Sequence, residues 1–239
     1  VPDLEPSEDN KLLQSDLFKD RKVLFTFGLM SRNKGLETVI KALPSIVKKH
    51  PEVLYVILGN THPGVVKHNG EEYRDSLKAL AKKLGVENNI AFVNKFVSET
   101  ELHQYLTACY LYITPYLNEA QITSGTLSYA VGAGAAVVST PYWHAQELLD
   151  NNRGRLFNFK DHVGLASIVN DLLDNPTKMS ALKANAYEYG LKLRWPKIGK
   201  SFITVVENAV KHGIAQKANN GKITIVFNNK ENVQQHLVA

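Results

Sequence analysis

Three short stretches of this 239-residue sequence hold the side chains best suited to chemistry, and each follows an apolar run. The first is Gly28-Leu-Met-Ser-Arg-Asn-Lys-Gly35, a glycine turn carrying Arg32 and Lys34 beside the start of a helical pattern. Two cations next to the free amides of a helix start suit a diphosphate, each charge-assisted contact contributing about 1.5 to 3 kcal/mol. The plainer reading is a loop whose basic residues face water. The second stretch, Asn118-Glu-Ala-Gln-Ile-Thr-Ser-Gly-Thr126, puts Thr123, Ser124, Gly125 and Thr126 directly before a helix. A hydroxyl there caps the helix while the remaining amides accept a phosphate, or the segment is a capped helix and nothing more. The third, Gly59-Asn-Thr-His62-Pro-Gly64, offers His62, which bonds a ligand or, as a lone histidine more often does, a neighbouring carbonyl.

Other signals exclude function classes. Gly132-Ala-Gly134 lies at the end of a helical pattern, not in a strand-to-helix turn, so it is no dinucleotide fingerprint, and no P-loop lysine motif exists. His144 and Glu147 share a helix face without a third ligand nearby, so no metal site is expected. Tyr142 and Trp143 read as packing residues. A single cysteine, Cys109, rules out an internal disulfide and fits a reducing, cytoplasmic setting. No apolar run approaches the roughly 20 residues of a membrane span, and VPDLEPSEDN has no signal-peptide features. Lys and Arg exceed Asp and Glu by 28 to 23, a spread-out net charge of +5, so no nucleic-acid partner is expected.

The elements that must position these loops alternate. Val23 to Phe27, Val53 to Leu58, Ile90 to Val93, Leu111 to Pro115 and Ala136 to Ser139 read as buried strands. Helical periodicity covers Lys34 to His50, Glu71 to Leu84, Glu99 to Ala108 and Thr126 to Ala133. Strict alternation with short connections predicts an α/β fold: a mostly parallel sheet with helices on both faces. In such a sheet, ligands bind beyond the carboxyl ends of the strands, where all three loops fall. Beyond Tyr142, an edge strand at Gly154 to Phe159 precedes helices at Val163 to Asn175, Thr177 to Leu193 and Pro196 to His212. From about Ala215 the chain is polar and mobile, with ITIVF a strand that has no evident partner.

The stretches FGLMSRNKGLETVIKALP, VSETELHQYLTACYLYITPY and QITSGTLSYAVGAGAAVVSTPYWHAQELL, in that order, resemble the carboxyl-terminal domain of a retaining GT-B glycosyltransferase. The likeness is to the large group-1 family of sucrose and polysaccharide transferases, and covers about Lys22 to His212. It implies a Rossmann-like half of a GT-B fold that binds a nucleotide-diphosphate sugar and needs no metal. The family's diphosphate-gripping motif matches at Gly28, Lys34 and Gly35, but its arginine position is Leu29, leaving Arg32 to substitute. Its two glutamates, one for the donor sugar and one for the ribose, fall at Gln121 and Tyr129, with Glu119 an outside candidate for the first. The turn around Ser124, Gly125 and Thr126 matches the family's diphosphate-binding amides. Lys95 and Phe96 fall where the base is read, and Gly59 and His62 line the same strand ends.

The resemblance implies that residues 1–20 are an interdomain linker, 21–213 the nucleotide-sugar-binding domain with extra C-terminal helices, and 214–239 a polar extension. It implies retaining transfer of a hexose to a glycan or other acceptor held by an N-terminal domain, with Lys34 and Arg32 assisting departure of the diphosphate. A domain without its partner half binds nucleotide but does not turn over. The alternatives are a nucleotide-sugar epimerase of the same architecture and, because both glutamates are replaced, a non-catalytic binding module.

Overall fold

The computed structural model describes residues 1–3, 5, 10–61, 67, 70–214, 224–228 and 234–238. They divide into two compact units, Val1–Arg194 and Trp195–Ala239.

In the first unit, six strands form one parallel sheet: β1 (Lys22–Phe27), β2 (Val53–Leu58), β3 (Ile90–Val93), β4 (Leu111–Thr114), β5 (Val137–Ser139) and β6 (Gly154–Leu156). Their order is β3-β2-β1-β4-β5-β6. The chain therefore builds outward from β1 to β3, then returns to β1's other edge with β4, and the crossover direction reverses between β1 and β4. A crevice opens at such a reversal, because the connections leaving the two strands diverge.

Side chains alternate between the two faces of each strand, and both faces are buried, which explains the unbroken apolar runs. Leu24, Tyr55, Ile57, Leu111 and Ile113 meet α1 (Leu36–Val47), α2 (Glu72–Lys83) and α6 (His162–Asp174). Val23, Phe25, Val56, Leu58 and Tyr112 meet α3 (Glu99–Ala108), α4 (Gly125–Gly132) and α5 (Trp143–Leu148). Tyr142 is fully buried, as packing residues are, whereas Trp143 at 39% exposure faces out at the start of α5. After α6 comes α7 (Pro176–Gly190), which starts on a proline whose missing N–H costs nothing at that position.

Several expectations change. The segment before β1 packs on this unit where described: the Val1 amine donates to Leu193 O (2.8 Å), the Asn10 amide donates to Gln104 O (2.7 Å), and Phe18 is buried. Asp3 pairs with Arg194 at 2.9 Å, so the start and end of this unit are tied together. The unit closes at Arg194, short of the expected boundary at 213. Helix α8 (Trp195–Ala209) belongs to the second unit and buries none of its residues. The strand at ITIVF has a partner: β7 (Thr224–Asn228) pairs antiparallel with β8 (Gln234–Val238). Gln234-Gln235 hid β8, since only Leu237-Val238 read as apolar. Among the described residues, no helix is long and apolar enough to cross a membrane.

Candidate functional site

Glycine geometry brings the strand ends together. Gly28 (φ +125°) ends β1 and donates to Leu58 O at 3.0 Å, and Gly59 (φ +135°) ends β2. A Cβ on Gly59 would lie 2.3 Å from Gly28 O, so neither the backbone angle nor the space admits another residue. Across the reversal, Gly35 (φ +62°) would put a Cβ 2.2 Å from Pro115 O, and the Leu117 N–H donates to Asn33 O at 2.9 Å. These contacts lock the turn after β1 against the loop after β4.

The helical pattern predicted from Lys34 starts only at Leu36, because Arg32–Lys34 form a 3-10 turn closed by Gly35. That turn sends the two cations in different directions. The Arg32 guanidinium is exposed, bonds Glu72 Oε1 on α2 at 2.8 Å and lies 5.6 Å from the Tyr73 ring. Lys34 is half-buried, its Nζ 3.8 Å from the centroid of the Tyr116 ring. Burial lowers its pKa from the ordinary lysine value. Among the described residues, no carboxylate pairs with Lys34.

Tyr116 connects that cation to the second predicted cluster. Its phenol, pushed up to about 12 by burial, shares a 2.7 Å hydrogen bond with Thr126 Oγ1, which is 3.2 Å from Ser124 Oγ. Ser124 caps α4 by accepting from the Leu127 N–H at 3.3 Å. The expectation of free amides needs one correction: the Ser124 N–H donates to His144 Nδ1 at 2.9 Å. Burial lowers the His144 pKa against the opposing pull of Glu147, which suits a neutral imidazole acting as acceptor. Among the described residues, the N–H groups of Gly125 and Thr126, the first two of α4, have no acceptor, the arrangement that favours an anion.

Gln121 and Glu119 flank this turn. Gln121 Nε2 donates to Thr123 O (2.9 Å), and the exposed Glu119 offers its carbonyl to the Trp143 N–H (3.0 Å). The first amides of α5 thus hold the 119–121 loop in place.

The remaining predicted residues gather at a second place. Gly28, Gly59, Lys95, Phe96 and Tyr129 all line one cavity of about 430 Å³ at the ends of β1, β2 and β3. Phe96 is 87% exposed, and Lys95 pairs with Glu101, which raises its pKa. The Tyr129 phenol donates to Glu99 Oε1 at 2.7 Å. His62 lies outside the described residues. Buried Arg74 holds the floor, donating from Nη2 to Asn94 Oδ1 (2.7 Å) and Gly59 O (3.3 Å).

Sequence reasoning missed Tyr116, His144, Arg74 and Glu99. Tyr116 follows β4 much as Gly28 follows β1, and that strand-end position is the signal for it.

A sequence model of the family described as "Glycosyl transferases group 1" matches residues 8–189. This chain belongs to that family. A D-inositol 3-phosphate glycosyltransferase of Corynebacterium kroppenstedtii is 25% identical over 199 residues, which cover 80% of this chain and 41% of that protein. The structure of Anabaena Alr3699/HepE in complex with UDP and glucose superposes with a TM-score of 0.71 at 22% identity, covering 85% of this chain and 53% of that one. The C-terminal domain of a group 1 family protein (LpcC) from Francisella tularensis superposes with a TM-score of 0.67 at 18% identity, covering 80% of this chain and 96% of that domain. The chain spans about half the length, or less, of the curated relatives it matches. Its first unit is the Rossmann-like half of a GT-B fold, and extra helices follow the sheet.

Proposed function

We propose that the crevice is the donor site of a retaining hexosyltransferase, which binds a nucleotide-diphosphate sugar and passes the hexose to a glycan or other acceptor on a second, N-terminal domain. One observation carries the reading. Lys34, without a carboxylate partner among the described residues, stands over Tyr116, and Tyr116 bonds Thr126 at the start of α4, where two amides have no acceptor among those residues. A diphosphate seated there meets a cation and a helix N-terminus together. Those groups stabilise the charge that grows on the departing diphosphate, and removing one such donor costs about 3 to 4 kcal/mol in the transition state. The exposed Arg32 assists only by leaving Glu72, and no metal is invoked. The UDP and glucose held by the Anabaena neighbour support this ligand class. A reducing cytoplasm suits the single buried cysteine.

A second reading, a binding module without turnover, draws on Gln121 and Tyr129: both occupy family glutamate positions, and both are engaged inside the chain, with Thr123 O and Glu99. Calorimetry of the 239-residue chain against UDP-, GDP- and ADP-sugars tests the donor site itself. One-to-one binding of one of them is expected. A folded chain that binds none overturns the donor-site reading. Hexosyl transfer by the full-length protein then separates an enzyme from a module.

A further inference from the structure

We propose that Glu99 on α3, held by Tyr129, is the residue that receives the ribose hydroxyls of the bound nucleotide. The assignment rests on the donor-site reading above and names the contact that makes the site one for ribonucleotides.

Glu99 is the first residue of α3. Ser98 caps that helix by accepting from the Glu101 N–H at 3.2 Å, which fixes the backbone that carries Glu99. A negative charge is favoured in this first turn, next to the unpaired amides. The Tyr129 phenol, coming from α4, commits its only proton to Glu99 Oε1 at 2.7 Å. Tyr129 therefore orients the carboxylate and has no proton left for a ligand. Glu99 Oε2 accepts no hydrogen bond among the described residues, and the Val1 amine is a positive charge that the carboxylate attracts.

Both side chains line the cavity of about 430 Å³, whose wall includes Gly28 and Gly59, where the bare backbone lets a ligand come close. The spacing fits a nucleotide. Tyr129 stands four residues along α4 from Gly125, a rise of about 6 Å, and the free amides are at the Gly125 end. A phosphate on those amides places the sugar one unit away beside the Glu99–Tyr129 pair. A ribose presents two neighbouring hydroxyls, both donors, and a carboxylate is acceptor-only with two oxygens to meet them. Exposed Phe96 at the same cavity is positioned to stack on the base.

The test titrates the 239-residue chain calorimetrically with UDP, GDP and ADP, then with the 2′,3′-dideoxy form of the diphosphate that binds. Wild type, Glu99→Gln and Tyr129→Phe are compared. Wild type is expected to prefer the ribose form by about tenfold or more, the range of a charge-assisted hydrogen bond. In Glu99→Gln that preference collapses: the ribose form weakens about tenfold while the dideoxy form changes by less than about twofold, which also shows that the variant is folded. Tyr129→Phe, which frees the carboxylate to wander, falls between the two. A wild-type preference that survives in Glu99→Gln, or a wild type indifferent to the hydroxyls, overturns the assignment and leaves the donor site standing. Binding of none of the three diphosphates overturns both.

Discussion

In the proposed donor site, the β1/β4 end of the crevice offers backbone amides and a half-buried lysine held by Gly35, the Leu117–Asn33 bond and the Tyr116–Thr126 hydroxyl pair. The β2/β3 end offers exposed side chains, Phe96, Lys95 and Glu99, around a glycine floor braced by Arg74. The first end depends on main-chain shape, so it tolerates the replacement of surrounding side chains as long as the glycines stay. The second is built from side chains, Phe96, Lys95, Glu99 and Tyr129, whose replacement leaves the fold intact. Under the proposed donor-site reading, phosphate recognition and nucleoside recognition should therefore differ in their sensitivity to mutation.

The largest effect is expected where the backbone itself is challenged. Gly35→Ala forces a Cβ into Pro115 O at a left-handed backbone angle, so it should cost about 3 kcal/mol, seen as a melting temperature lower by about 6 to 12 °C. Diphosphate binding should vanish with it. A variant that melts with wild type would show that the two loops are not locked together.

Next comes the pair of cations. Lys34→Ala should weaken nucleoside diphosphate binding by about 10- to 100-fold, the span of a contact to a charged group, read by calorimetry. Arg32→Ala should change it by less than about threefold, because surface ion pairs contribute little and Arg32 already has Glu72. Equal losses would erase the distinction between a committed and an available cation.

A smaller and more selective loss is expected at the other end. Phe96→Ala should weaken a nucleoside diphosphate about five- to tenfold, at the low end for stacking on one base, and leave inorganic diphosphate unchanged. A parallel loss of both would mean that Phe96 acts on the phosphate end.

The mildest effect is in pH. Burial lowers the Lys34 pKa and the bound anion needs its proton, so affinity should fall with rising pH on a limb that starts below 10.5. Lys34→Arg keeps its charge and should flatten that limb. For stability the sign is opposite. Between the lowered value and 10.5 the unfolded chain holds the proton that the folded one has released, so this group's contribution to stability rises with pH.

Much of the scaffold was readable from pattern. The bounds of β2, β3 and α3 coincide with their apolar and helical runs, since a buried parallel strand and an amphipathic helix each write their period locally. The glycine turn after β1 and the Ser124 cap of α4 were legible in the same way, from their place between a strand and a helix. Arg32 and Lys34 looked equivalent, because spacing alone cannot show that a 3-10 turn separates them. His144 and Glu99 stayed hidden because their meaning comes from partners 20 and 30 residues away, brought close only by the sheet. Arg74 sat in a helical pattern as one more charged residue, and its burial is a tertiary fact.

The division of the crevice into a phosphate end and a nucleoside end is tested most directly by amide NMR of the 239-residue chain, titrated first with a nucleoside and then with its diphosphate. The nucleoside should move the amides of residues 95–99 and 129 and leave those of Gly125 and Thr126 in place. The diphosphate should add large shifts at Gly125 and Thr126, and Lys34→Ala should abolish those while leaving the nucleoside shifts in place. A diphosphate that binds without moving Gly125 and Thr126 would contradict the account.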